Sequence, residues 1–222
     1  MLSVPSRGEL REFVSFAGPA FFALLGKVVS FSSMTYAAAG AGTSALAAHQ
    51  VVLQLFFFFC KFGDSVSSTA QTFLPAAIAA NDYQSVRATV RRCLAMAFTL
   101  GLVDSLLAGV IPLFGASIFT TDPAVVAKMR SITPLLCTSL LFHATVMSLE
   151  GVLFACRSTV WLAASYVSTT ALFTSSMYIA RGRGVGIMTV WWTLFAYQMI
   201  RLVQFGVGVA VEWFRGAGRV RP

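Results

Sequence analysis

Charge is what this sequence has least of. Asp, Glu, Lys and Arg together make up 11% of its 222 residues. A water-soluble domain carries about a quarter of its residues charged, so an ordinary soluble fold does not fit. Histidine occurs twice, and no HExxH or comparable spacing exists, so no metal site is expected. The four cysteines, Cys60, Cys93, Cys137 and Cys156, lie in or beside apolar runs without CxxC spacing and read as buried free thiols. Serines and threonines are scattered without a paired histidine and acid, so the chain is not read as an enzyme, and no cofactor is expected. Alternating segments of about ten residues, the mark of a membrane β-barrel, are also missing. The first residues are polar, and the run after them is too long for a signal-peptide core. They also lack the Ser- and Arg-rich, acid-poor character of a transit peptide, so the chain is expected to start almost directly at a spanning helix.

What the sequence does have is apolar length. It is 57% hydrophobic with 20 phenylalanines, and its mean hydropathy is +0.79. A spanning helix needs about 20 apolar residues, so several fit. Apolar runs between turn signals predict an all-α polytopic membrane protein with six transmembrane helices, over 14–38, 47–74, 93–117, 124–156, 159–180 and 187–213. A segment 1–13 precedes this single lobe and a basic tail 214–222 follows it. Asn81-Asp82 marks a turn, and Thr120-Thr121-Asp122-Pro123 reads as a helix start with a capping residue before proline.

The net charge of +8 sits between the runs rather than on one basic face, which argues against nucleic acid. Arg7, Arg11, Arg87, Arg91, Arg92, Arg157, Arg215, Arg219 and Arg221 fall on one side of a six-span topology. Lys128, Arg130, Arg181 and Arg183 fall on the other. The positive-inside rule then places both termini in the cytoplasm, or its stromal equivalent.

Helix two organises the chain. Gln50, Gln54, Phe57, Lys61, Asp64, Ser68 and Gln71 recur at steps of three and four, along one side of a helix. Polar groups at membrane depth face a bundle interior or a water-filled cavity, which makes this stripe a candidate pathway. Lys61 lies at i−3 from Asp64 and offers it a pairing partner. His143 on helix four is a candidate proton relay or a neutral bundle histidine. His49, near a helix start, is expected at the interface. Glu150 is expected near the cytoplasmic end of helix four, either in a gate or salt bridge with Arg157 or as a solvated helix-end charge. Gln198 and Arg201 share a face of helix six, where the arginine either attracts anionic substrates or clamps an acid such as Asp104. Phe56 to Phe59 either line a greasy cavity or face lipid.

Three stretches carry a resemblance. The run 47–71, with Ala47, Ala48, Gln50, Gln54, Asp64 and Gln71, resembles the second helix of the C-terminal lobe of multidrug and toxic compound extrusion (MATE) transporters. It is nearest to their plant-type and DinF-like branches. SLEGVLFACR at 148–157 and the Trp-Trp-x-Leu-x-x-Tyr-Gln-x-x-Arg pattern at 191–201 are similar to the fourth and last helices of that lobe. The resemblance implies a secondary antiporter that exports organic solutes or xenobiotics in exchange for H⁺ or Na⁺, by alternating access between two lobes. This chain supplies only six of the family's twelve helices, so the missing partner is an N-terminal six-helix lobe or a second copy. An acidic proton site found in the N-terminal lobe of DinF-like members is absent, and Lys27 stands where some branches place an acid. The plant-type resemblance points to a plastid envelope or plasma membrane. The alternatives are a non-transporting or regulatory half-length membrane protein, and a flippase-like member of the same superfamily.

Overall fold

Among the described residues six helices follow one another: α1 (Arg7–Ala39), α2 (Thr43–Ala79), α3 (Tyr83–Phe114), α4 (Pro123–Ala155), α5 (Thr159–Gly182) and α6 (Ile187–Gly218). A single 3₁₀ turn, Ala116–Ile118, lies between α3 and α4. The computed structural model describes residues 6–218, and the expected tail positions Arg219 and Arg221 lie outside it. The helix count agrees with the sequence; several ends do not. α1 begins at Arg7 instead of after a separate segment. α2 runs on through Pro75 to Ala79. α3 starts ten residues before the expected 93, so Arg87, Arg91 and Arg92 are exposed helical residues and not loop. Hydropathy marks where a helix meets water, whereas hydrogen bonding continues past that point.

The turns obey local chemistry. Asn81 takes a left-handed φ of 54°, which an asparagine tolerates, and Asp82 caps α3 by accepting from the Ser85 N–H at 3.0 Å. Asp122 caps α4 by accepting from the Ala124 N–H at 2.8 Å, with Pro123 opening the helix.

Among the described residues, five helices are long and apolar enough to cross a membrane: α1 from Phe21, then α2, α3, α4 and α6 up to Phe214. α5 has 24 residues, about 36 Å of helix, but hydroxyl side chains dilute its hydropathy. Several of these are hydrogen-bonded. Thr169 donates to the backbone carbonyl of Ser165 at 2.6 Å, and the Gln204 amide of α6 donates to Ser168 Oγ at 3.3 Å. Such bonds keep polar groups out of lipid.

α4 is the central helix, buried from Val125 to Leu153 against α2, α3 and α6. α1 packs mainly on α5 and touches α2 little. The lobe is therefore an α1–α5 pair laid against a four-helix core, with a gap between α1 and α2. At one end Arg181 of α5 stacks on the Tyr36 ring at 3.9 Å and donates to the Tyr36 carbonyl. At the other end Arg87 stacks on Trp213 at 4.6 Å, and Ser158 donates to Glu212 at 2.7 Å. The starts of α3 and α5 thus meet the end of α6, as alternating up and down helices require.

Candidate functional site: a polar cavity between α1, α2 and α6

The gap between α1 and α2 is a cavity of about 740 Å³. Its polar lining comprises Lys27, Gln50, Gln54, Lys61, Asp64, His143, Gln198 and Arg201, among others. The helix-two stripe and the polar positions of α4 and α6 therefore converge on one space. The slow drift of the stripe carries Gln71 off the lining, and its amide instead donates to Ser67 Oγ at 3.2 Å. Leu24, Val28, Phe31, Leu53, Phe56 and Phe57 supply an apolar wall. Of the four consecutive phenylalanines, Phe56 and Phe57 face the cavity, Phe59 is core, and Phe58 is 61% exposed on the outer face. A 100° step per residue splits such a run among three environments.

Beside the cavity lies an ionic cluster drawn from four helices. Glu150 Oε1 meets Lys27 Nζ at 3.2 Å, and its Oε2 meets an Arg201 guanidinium nitrogen at 2.8 Å. The Tyr166 hydroxyl donates to Glu150 Oε2 at 2.5 Å and accepts from Arg201. The guanidinium also stacks on the rings of Tyr166 at 4.5 Å and Phe205 at 4.9 Å. Glu150, Tyr166 and Arg201 are buried, so these ion pairs and hydrogen bonds lie in a region that water does not screen.

This cluster corrects the expected gate. Glu150 turns inward to Lys27 and Arg201, while Arg157 is exposed at the α4–α5 joint with a φ of 57°. Counting residues to the helix end located Glu150 along the axis but gave no rotation about it. Arg201 likewise takes Glu150 as its acid. Asp104 is buried on the α3 face against α2 and α4 and stands in no ion pair among the described residues. Lys27 and Arg201 had sequence signals, as cations inside apolar runs. Tyr197 was marked only as part of the 191–201 pattern, and Tyr166 had no signal, because tyrosines are ordinary in membrane helices.

The remaining polar groups form two smaller sets. Lys61 and Asp64 pair at 3.2 Å, as the i−3 spacing expects, with side chains 77% and 40% exposed. The Gln198 side-chain amide and His143 Nδ1 are hydrogen-bonded at 2.9 Å. His49, expected at an interface, is fully buried against Trp191 and hydrogen-bonded to Thr35 at 3.3 Å. Cys60 and Cys93 are buried free thiols; Cys137 and Cys156 are half-buried.

The MatE family model matches residues 19–180. Protein DETOXIFICATION 47, chloroplastic, from Arabidopsis thaliana is 26% identical over 198 residues, 88% of this chain and 36% of that protein. Protein DETOXIFICATION 43 from the same plant is 30% identical over 203 residues, 90% of this chain and 38% of that protein. A MOP superfamily transporter from Pyrococcus furiosus superposes with a TM-score of 0.74 at 12% identity, over 90% of this chain and 44% of its own. The chain thus spans just over a third of these curated relatives and nearly half of that solved transporter. A multi-pass helical lobe with a polar cavity, matched over most of its length by the family model, belongs to the MatE family of transporters.

Proposed function

We propose that this chain is one six-helix lobe of a secondary antiporter that exports organic solutes in exchange for H⁺ or Na⁺. The observation that carries the reading is the convergence of Gln50, Gln54, Lys61, Asp64, His143, Gln198 and Arg201 on one cavity with an apolar wall. Cavities of several hundred cubic ångströms, mostly apolar with a few placed polar groups, suit small organic ligands. The complementary element is a second six-helix lobe, supplied by another chain or a second copy, so that the cavity lies between two bodies that rock in alternation. The distribution of arginines supports cytoplasmic or stromal termini. The name of the chloroplastic relative supports a plastid membrane as one host.

The test is reconstitution of this lobe with a complementary six-helix lobe in vesicles, under an imposed pH or Na⁺ gradient. Export of a labelled organic solute is expected to follow one of the two gradients. Movement indifferent to both rules out coupled antiport.

A further inference from the structure

Positive charge crowds the start of α3. Arg87, Arg91 and Arg92 project from its first turns, all exposed, just before the apolar run that opens at Cys93. Arg87 and Arg91 are four positions apart, and like charges at that spacing destabilise a helix. Arg92 adds a third charge beside them. No carboxylate of the protein relieves the crowding: none of the three arginines stands in an ion pair among the described residues. Asp82 is committed to the cap of α3, more than two turns before Arg91, and Glu212 accepts from Ser158 at the end of α6.

The rotation of α3 places these charges over an apolar strip. Val90, Cys93, Ala97, Gly101 and Asp104 form its buried face, which packs against α2 and α4. At 3.6 residues per turn, the line opposite that face runs through Ala95, Thr99 and Leu106, and Arg91 and Arg92 stand on either side of its N-terminal end. Ala95 and Thr99 are exposed, and the Thr99 hydroxyl donates back to the Ala95 carbonyl at 3.0 Å. Met96, Phe98, Leu102 and Leu106 are exposed and apolar around and below them. Trp213, on which Arg87 stacks at 4.6 Å, belongs to the class of ring that settles at headgroup depth.

We propose that Arg91 and Arg92 bind the phosphate of an anionic membrane lipid, with Arg87 as a third cation one turn farther out and the acyl chains along the outer face of α3. The planar fork of a guanidinium matches two phosphate oxygens at once. Charge selects the headgroup, because a zwitterionic lipid brings its own ammonium to the same place. The partner is a lipid and not a soluble phosphate, because the apolar strip begins within one turn of the arginines. The positive-inside bias concerns only the side of the membrane on which arginines lie, whereas this arrangement sets them over one strip of one helix. Among the described residues α3 contributes nothing to the cavity lining, so the site holds whatever the cavity carries.

The test uses the whole chain in nanodiscs with equal amounts of phosphatidylglycerol and phosphatidylcholine, one or the other carrying a photoactivatable acyl chain. Cross-linked peptides are identified by mass spectrometry. An arginine near an anionic lipid contributes about fivefold, so phosphatidylglycerol should label residues 95–106 about 25-fold more than phosphatidylcholine. Arg91→Gln and Arg92→Gln should each lower that preference to about fivefold, and the double variant should bring it close to parity. Arg157→Gln, at the same end of the lobe but off α3, should leave it unchanged. Arg91, Arg92 and Arg157 are exposed, so the variants are expected to keep the unfolding midpoint of the unaltered chain.

Equal labelling by the two lipids in the unaltered chain overturns the proposal. So does a preference that falls as far in Arg157→Gln as in Arg91→Gln, which traces it to the general charge of that end. Displacement of the lipid label by millimolar glycerol phosphate makes the ligand a soluble phosphate and overturns it as well.

Discussion

Gly151 of α4 and Ser67 of α2 meet backbone to backbone: a Cβ added to Gly151 would lie 2.5 Å from the Ser67 carbonyl oxygen and 2.8 Å from its Cα. Only a hydrogen at that position lets the two helices approach so closely, as small residues do at membrane helix interfaces. The contact also fixes the rotation of α4, and with it the inward aim of the adjacent Glu150.

Gly151→Val should therefore push α2 and α4 apart. Overpacking of this kind costs about 1–3 kcal/mol, and here it also displaces Glu150 from Arg201. The expected result is a lowered unfolding midpoint in detergent. An unchanged midpoint would mean that the helices separate without cost.

Glu150→Ala leaves Lys27 and Arg201 without their shared anion. Breaking a buried pair by removing one partner costs about 3–5 kcal/mol, since the remaining charge stays desolvated. Replacing Glu150 by Leu and Arg201 by Met together should recover much of that loss. Thermal unfolding of the single and double variants, compared as a cycle, reads the difference.

Lys61 and Asp64 should behave differently. Their side chains are largely open to the cavity, so removing either should change stability by less than about 1 kcal/mol. In vesicles, Asp64→Asn alone should impair transport by leaving Lys61 unpaired, and Lys61→Ala with Asp64→Asn should restore it. Persistent loss in the double variant would assign Asp64 to direct binding of the coupling ion.

Asp82 gives a dependence on pH at the α2–α3 turn. Hydrogen bonds from the Ser85 side chain and then from its backbone N–H hold the carboxyl below the ordinary value of 3.8. A depressed folded value means that the cap stabilises above the unfolded value and is lost as the pH falls through the folded one. The gap in melting midpoint between the native chain and Asp82→Ala should be constant near neutrality and should narrow below about pH 4.

The positions of the helices along the chain were legible because each has a local cause. Apolar runs gave the six cores, Asp122-Pro123 opened α4, and Asn81-Asp82 marked the α2–α3 turn. The ends were less legible, since α2 passes through Pro75 and α3 begins in polar sequence that hydropathy assigns to a loop. The polar face of α2 was legible from spacing, because the 3.6-residue period projects Gln50, Gln54, Lys61 and Asp64 in one direction. The same period explains the pairing of Lys61 with Asp64, which lies within one helix.

By itself, then, the sequence determined the class of molecule, the number of helices and the polar side of α2, all of which follow from composition and local periodicity. Only the tertiary structure decided which charges meet. Lys27 and Glu150 are 123 positions apart, and Arg201 and Glu150 are 51 apart. Their encounter depends on α1 leaning towards α5 and on the rotation of α4 set by its contact with α2. No periodicity within one helix encodes the rotation of another, so the choice of Glu150 over Asp104 as the partner of Arg201 belongs to packing alone.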